Sequence, residues 1–368
     1  MNETSASTRT SRLTALLQAL RQGRGFAHKR DIAQVLARLP ESLAPAWTGG
    51  ESTRVSTSVP NGDDCAALPQ ADGSHLLLAI EGLMPDFVQQ QPWFAGYSAV
   101  LVNLSDVAAM GGRALAVVDA LWSAEPATAE ALLDGMRAAC QRYGVPLLGG
   151  HSNLRAPSAQ LAVAVLGRAQ RLISSFAARP GDRLLMAVDL RGHWMGDQPF
   201  WNASTEAPPA RLQADLALLA ELAEAGLCQA GKDISMAGVL GTLLMLLECS
   251  GQGAQLQLDA LPHPPAEAGW PGWSATGPEA QAAQLRWLSA FPSHGFVLAV
   301  APEHAAEVIA RFQARALACA DIGQVRAGTA VDITLGTGAQ AEHARLWDFA
   351  SEGFLQPSPR AAGPEGAP

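Results

Sequence analysis

Residues 103–112 read NLSDVAAMGG, and the reading of this stretch decides the fold. The six residues before it, YSAVLV, are mostly small and apolar, as in a core helix. Yet Asn103 and Asp106 stand three apart, which puts an amide and a carboxylate on one helical face. Leu104, Val107 and Ala108 can face the core while Asn103, Asp106 and Met110 turn elsewhere. A lone acid here would be a solvated position. The pair, set among Ala and Gly that allow close approach of a backbone or ligand, points to a crowded polar site. The pattern predicts a helix over 96–111, stopped by Gly111-Gly112.

Working outward, HLLLAIEGL (75–83) reads as a buried strand with Glu81 at its mouth. LAVVDALW (115–122), VPLLGG (145–150) and AQLAVAVLGRA (159–169) read as further strands, and 126–143 as a helix. With TRVSTSV (53–59) as a first strand, this makes one α/β unit over 54–170. RPGDRLLMAVDL (179–190) opens a second unit, assigned to 171–345. It should hold helices at 209–225, 236–250 and 303–317 and strands at 254–261, 295–302, 320–328 and 330–336. The stretches 191–208 and 262–279 read as loops. Leucines 13, 16, 17 and 20 predict a helix over 11–22, and a second is expected at 30–39, so 1–53 reads as an arm packed on the body. Residues 346–368 read as a flexible tail.

The chain has 368 residues, 48% hydrophobic and 16% charged, a core-forming composition. Its net charge of −9 argues against a nucleic-acid surface. No apolar run is long enough for a membrane span. The five cysteines are scattered without a CxxC pair, which fits a reducing cytoplasm rather than a zinc site or disulfide framework. Lys29 and Lys232 are the only lysines, which singles out Lys232.

Five more stretches carry chemistry. Asp63-Asp64 in NGDDC is either an Asn-Gly-Asp turn or a set of hard oxygen ligands for Mg²⁺. Glu81 either lies exposed past its strand or points into a site, as strand ends do in α/β proteins. Gly149, Gly150, His151, Ser152 and Asn153 end a strand with bare N–H groups suited to an anion. His151 is open between phosphate donor, base and structural residue. In GKDISMAG, Ser235 reads as an N-cap; alternatively Lys232, Asp233 and Ser235 handle phosphate and metal together. Phe200, Trp201 and Asn202 in a loop are candidates for substrate contact or for burial. No GxxxxGK[ST] and no helix-opening GxGxxG occurs.

Together these stretches resemble the superfamily of aminoimidazole ribonucleotide (AIR) synthase, selenophosphate synthetase, the hydrogenase maturation dehydratase and thiamine-monophosphate kinase. The kinase is the nearest in pattern. Its GDD turn is matched by Gly62-Asp63-Asp64, its NLSDxAAMG by Asn103–Gly111, and the start of its GGDT by Gly149-Gly150. The resemblance spans roughly 54–337. It implies a two-domain PurM-like α/β fold whose N-terminal mixed sheet pairs into a barrel in a homodimer. It also implies ATP held through Mg²⁺ in a cleft between subunits, with Asp63, Asp64, Glu81 and Asp106 as metal ligands. Asn103, Gly149, Gly150, Ser152, Asn153, Lys232 and Ser235 would meet the nucleotide. Asp106, His151 and Asp233 would carry catalysis, and Phe200, Trp201 and Asn202 the substrate. The chain departs from the kinase where TDT becomes Ile80-Glu81-Gly82, where GGDT becomes Gly149-Gly150-His151-Ser152, and where DLSDGL loses its second acid at Met236. The expected activity is therefore Mg-ATP-dependent activation of a small metabolite by phosphoryl transfer. A cyclo-ligase of the same superfamily and a catalytically degenerate nucleotide-binding scaffold are the rivals.

Overall fold

The structure is a computed structural model that describes residues 11–36, 38 and 59–355. It opens with α1 (Arg12–Arg21) and α2 (Arg24–Leu36). The first unit then runs β1 (Ala66–Pro69), β2 (His75–Gly82), α3 (Pro85–Gln90), α4 (Pro92–Ala109), β3 (Arg113–Trp122), α5 (Pro126–Tyr143), β4 (Leu147–Asn153) and β5 (Gln160–Ala169). The second runs β6 (Arg183–Val188), β7 (His193–Trp194), β8 (Phe200–Asn202), α6 (Pro209–Glu224), β9 (Ala230–Asp233), α7 (Gly238–Cys249) and β10 (Gly253–Gln257). It continues through α8 (Pro278–Leu288), β11 (Phe291–Pro292), β12 (Gly295–Val300), α9 (Pro302–Gln313), β13 (Ala318–Arg326), β14 (Ala330–Leu335) and β15 (Glu342–Asp348).

The first sheet is ordered β1-β2-β5-β3-β4, mixed because β3 and β4 are parallel. Its inner face packs Leu77, Val117, Val163 and Val165 against α4 and α5. These two helices meet backbone to backbone: a Cβ on Gly135 would lie 1.9 Å from Trp93 O, and one on Gly96 2.1 Å from Leu132 O. The outer face keeps Leu78, Ile80, Leu115, Val118, Leu148 and Leu166 exposed, so it is apolar where a solvated sheet face should be polar. The second sheet is ordered β15-β14-β10-β13-β6-β12-β9, and β7, β8 and β11 form a small third one.

Two features lock the halves together. Ala108 and Ala109, at the end of α4, share a core with Leu218, Leu219 and Leu222 of α6 and with Leu185 and Phe296 of the second sheet. The Asp63 carboxylate accepts from Ser174 Oγ (2.6 Å), Ser175 Oγ (2.8 Å) and Ser175 N (3.1 Å), bridging the linker between the units.

Several boundaries differ from expectation. The helix of the opening stretch starts at Pro92, not 96, because proline at the first helical position forgoes only an N–H that has no partner there. The second arm helix starts at Arg24, not 30. Gly25 is its point of closest packing, since a Cβ there would lie 2.3 Å from Met236 O. The 191–208 loop contains β7 and β8, and the strand expected at 254–261 turns into a 3-10 helix at Leu258–Ala260. Helix α8 follows the 262–279 loop unforeseen, and the 303–317 helix stops at Gln313. The tail boundary at 346 is wrong: Leu346 and Trp347 lie in β15 and are buried, as are Phe354 and Leu355. All of the 53–59 strand except Val59 lies outside the described residues, and Val59 is not in a strand. No helix among the described residues is long and apolar enough to cross a membrane.

Candidate functional site

A cleft of about 330 Å³ opens where the two units and the arm meet. The turn at Gly62, whose φ of 122° suits glycine, delivers Asp63 and Asp64 to it. The mouth of β2 supplies Glu81, α4 supplies Val102 and Asp106 one turn apart, and β9 supplies Lys232 and Asp233. Ser235 and Met236 follow from the loop before α7.

The centre of the cleft is three carboxylates. One oxygen each from Asp64, Asp106 and Asp233 lies within 4.8 Å of the others. Asp64 Oδ2 and Asp106 Oδ2 are buried with no hydrogen-bond partner. The Lys232 ammonium, buried with its partner, forms an ion pair with the other Asp64 oxygen. Burial raises the pKa of all three acids. Asp64 is pushed up to about 7, with Lys232 opposing and Asp233 adding to the rise. Asp233 is pushed up to about 6, with Lys232 and Lys29 opposing. Asp106 is held well above the carboxylate range by burial and then by Asp233, Glu81 and Asp64. Glu81 is open to water through the cleft yet ringed by protein, and that desolvation raises it too, against the pull of Lys29. Burial works against the charge of Lys232, but Asp64 and Asp63 outweigh it and hold the ammonium protonated.

Crowded acids with orphaned oxygens fit a hard divalent cation, which takes oxygen ligands and relieves their repulsion. Asp64, Asp106 and Asp233 are the residues placed to hold it, with Glu81 on the rim. Asp63, expected as a fourth ligand, lines the cleft but spends its oxygens on the serine clamp.

The remaining expected residues divide. Ser235 caps nothing: α7 starts at Gly238, and the Ser235 hydroxyl is buried without a partner at the cleft wall. Asn103 is fully buried and donates to Ala99 O (2.8 Å), lining no part of the cleft. Gly149, Gly150, His151, Ser152 and Asn153 do not come to it either. They run exposed along β4, the edge strand, with His151 against the Trp122 ring. Phe200 does reach the cleft and also walls a smaller apolar cavity of about 60 Å³ beside it, with Phe87, Phe94, Phe291 and Ser105. Trp201 is core, its indole donating to Asp189 O (2.9 Å), and it and Asn202 also border this apolar cavity. Asn202 ties its own turn, accepting from Ser204 N and Thr205 N. Lys29, Ile32 and Leu355, from the two ends of the chain, line the cleft and were not foreseen. For Lys29 the rarity of lysine was the available signal.

Residues 62–169 match the family described as AIR synthase related protein, N-terminal domain, and residues 179–336 match its C-terminal domain. An uncharacterized protein of Synechocystis is 43% identical over 92% of this chain and 96% of its own length. A selenide, water dikinase of Myxococcus xanthus is 25% identical over 81% of this chain and 90% of its own. Among solved structures, PurL of T. maritima complexed with ATP superposes with a TM-score of 0.67 at 17% identity, over 97% of this chain and 54% of that one. The two-unit architecture is thus the one the resemblance implies.

Proposed function

The chain belongs to the AIR-synthase-related proteins, and from that premise we propose that it is a Mg²⁺- and ATP-dependent enzyme that activates a small metabolite by phosphoryl transfer. The observation that carries this reading is the trio Asp64, Asp106 and Asp233, gathered within 4.8 Å with two orphaned oxygens. A bound Mg²⁺ would neutralise charge on the phosphates being transferred. The protein's own part is positioning. Asp64, Asp106 and Asp233 would hold the ion, Lys232 fixes Asp64 and favours its ionised form, and Ser235 offers a hydroxyl at the wall. Phe200 separates the acid cleft from the aromatic cavity, so the favoured acceptor has a compact apolar or ring-shaped body.

The exposed apolar sheet face supports a homodimer, and pairing there would offer the bare backbone of Gly149–Asn153 to a partner's nucleotide. The scaffold reading draws on one observation, the exposed His151 in place of an acid. Calorimetry with ATP and Mg²⁺ tests the nucleotide site that both readings share, and ATP turnover against candidate metabolites separates the enzyme from the scaffold. Wild type is expected to bind, and Asp106→Ala to lose the metal-dependent part of the affinity. No nucleotide binding by wild type would sink the enzyme reading. Equal binding by the variant would remove Asp106 from the metal site.

A further inference from the structure

The chain has 25 basic Lys and Arg side chains, of which only Lys29 and Lys232 are lysines. They stand about two hundred residues apart in sequence, and both line the same cleft. Lys232 is committed to Asp64. Lys29 is half-buried on α2, and its charge acts on Glu81 and Asp233. Among the described residues no carboxylate pairs with it within 4.0 Å.

The helix that carries Lys29 is held firmly. At Gly25 it rides on the backbone of Met236 and Ala237, next to Asp233 and Ser235. One residue on, Phe26 is buried between Trp347 and Phe354 from the other end of the chain. Arg21 and Arg30, on either side, both pair with Glu352, and Arg21 lies 4.4 Å above the Trp347 ring. Leu355, three residues past Glu352, joins Lys29 and Ile32 in the cleft wall. The first and the last described segments are thus clasped to each other over the acid cluster.

We propose that this clasp belongs to the ligand site, and that it presents Lys29 to hold a terminal oxyanion of the ligand, a phosphate of the nucleotide or an anionic group of the acceptor. The inference rests on the phosphate-handling reading of the cleft. An ammonium on a four-carbon stem is a compact charge with three rotatable donors, suited to an oxyanion that a metal grips from the opposite side. Lys232 cannot serve, since its ammonium is already spent below the cluster. Glu352 acts at one remove, as a positioning residue that keeps α2 in place.

The rarity of lysine makes the test direct. Reductive methylation followed by peptide mass spectrometry should modify Lys29 and spare the buried Lys232. Mg-ATP and inorganic pyrophosphate are each tested for protection of Lys29, with adenosine as the phosphate-free control. Protection by Mg-ATP assigns Lys29 to the nucleotide, and protection by pyrophosphate alone assigns it to the acceptor's anion. Protection by neither, or equal protection by adenosine, overturns the proposal.

In calorimetry Lys29→Met should weaken the protecting ligand roughly 10- to 100-fold, the usual worth of a charge-assisted hydrogen bond. Binding of Mn²⁺ alone should not weaken. Lys29→Arg should recover part of the loss. Glu352→Gln should weaken the ligand less, and should add nothing to Lys29→Met. Circular dichroism checks that each variant folds. Wild-type affinity in a folded Lys29→Met also overturns the proposal. If wild type binds no Mg-ATP, the proposed function fails on its own, while the pyrophosphate arm still decides Lys29.

Discussion

Replacing Asp233 by Asn should make the metal-free protein more stable and the metal-loaded protein less so. Asp233 is buried on β9, within 4.8 Å of oxygens from Asp64 and Asp106. Its carboxyl is raised from 3.8 to about 6, chiefly by burial. Keeping such an acid ionised in the fold costs about 3 kcal/mol at pH 8 relative to the unfolded chain. The sign follows from linkage. A raised acid binds more protons folded than unfolded, so stability falls as pH rises from about 4 to about 6 and then levels off. The cost is therefore fully present above pH ~6 and absent below about 3.8. Asn has nearly the same shape and no charge, and Lys232 keeps its partner Asp64.

In EDTA at pH 8 the variant should gain up to about 3 kcal/mol, a melting point up to about 4 °C higher for a protein of this size. The gain should shrink steadily towards pH 4. In Mn²⁺ at a hundred times its dissociation constant, wild type should gain about 2.7 kcal/mol. The variant, short of one charged ligand, should gain far less, so the two curves close up or cross. Scanning fluorimetry over a pH series with EDTA or Mn²⁺ reads all of this. A variant that melts well below wild type in EDTA at pH 8 would refute the reasoning. Asp233 would then be a structural partner of Lys232, not an acid strained for want of a cation.

Two further outcomes test the scaffold around the site. Gly135→Ala pushes a methyl to 1.9 Å from Trp93 O, so α4 and α5 must part; urea unfolding should show a loss of at least about 2 kcal/mol, with weaker metal binding because α4 carries Asp106. Ile80→Lys places a charge at a position 68% exposed on the apolar sheet face; if that face joins two copies, sedimentation should show the dimer weakened or lost while the melting point of the fold barely moves.

Much of the frame was legible locally. The α5 and α6 limits came within a residue of expectation, because Pro126, Gly144 and Pro209 mark helix ends by backbone chemistry alone. The stretch around Asp106 carried the family resemblance, and it does place that acid at the cleft. The same reading could not separate Asp106 from Asn103, because on a helix buried on nearly every side period alone does not say which flank meets a cavity. Asp63 and Asp64 were indistinguishable as neighbours; one became a clamp on Ser174 and Ser175 and the other a partner of Lys232. For Trp201 and Asn202 the sequence left substrate contact and burial open, because their partners, Asp189 and the 203–205 turn, give no periodic signal.

By itself the sequence determined the class of fold and the two-unit order, since apolar period and helix punctuation mark the elements and the motifs around Asp64 and Asp106 carry the family resemblance. Tertiary structure alone decided which acids share an ion-sized space and which lysine is spent. It also brought β2, α4, β9, the arm and the last described residues to one cleft. These segments lie far apart along the chain, and their meeting is set by long-range packing, above all the seating of α4 against α6 and of Phe26 against Trp347 and Phe354.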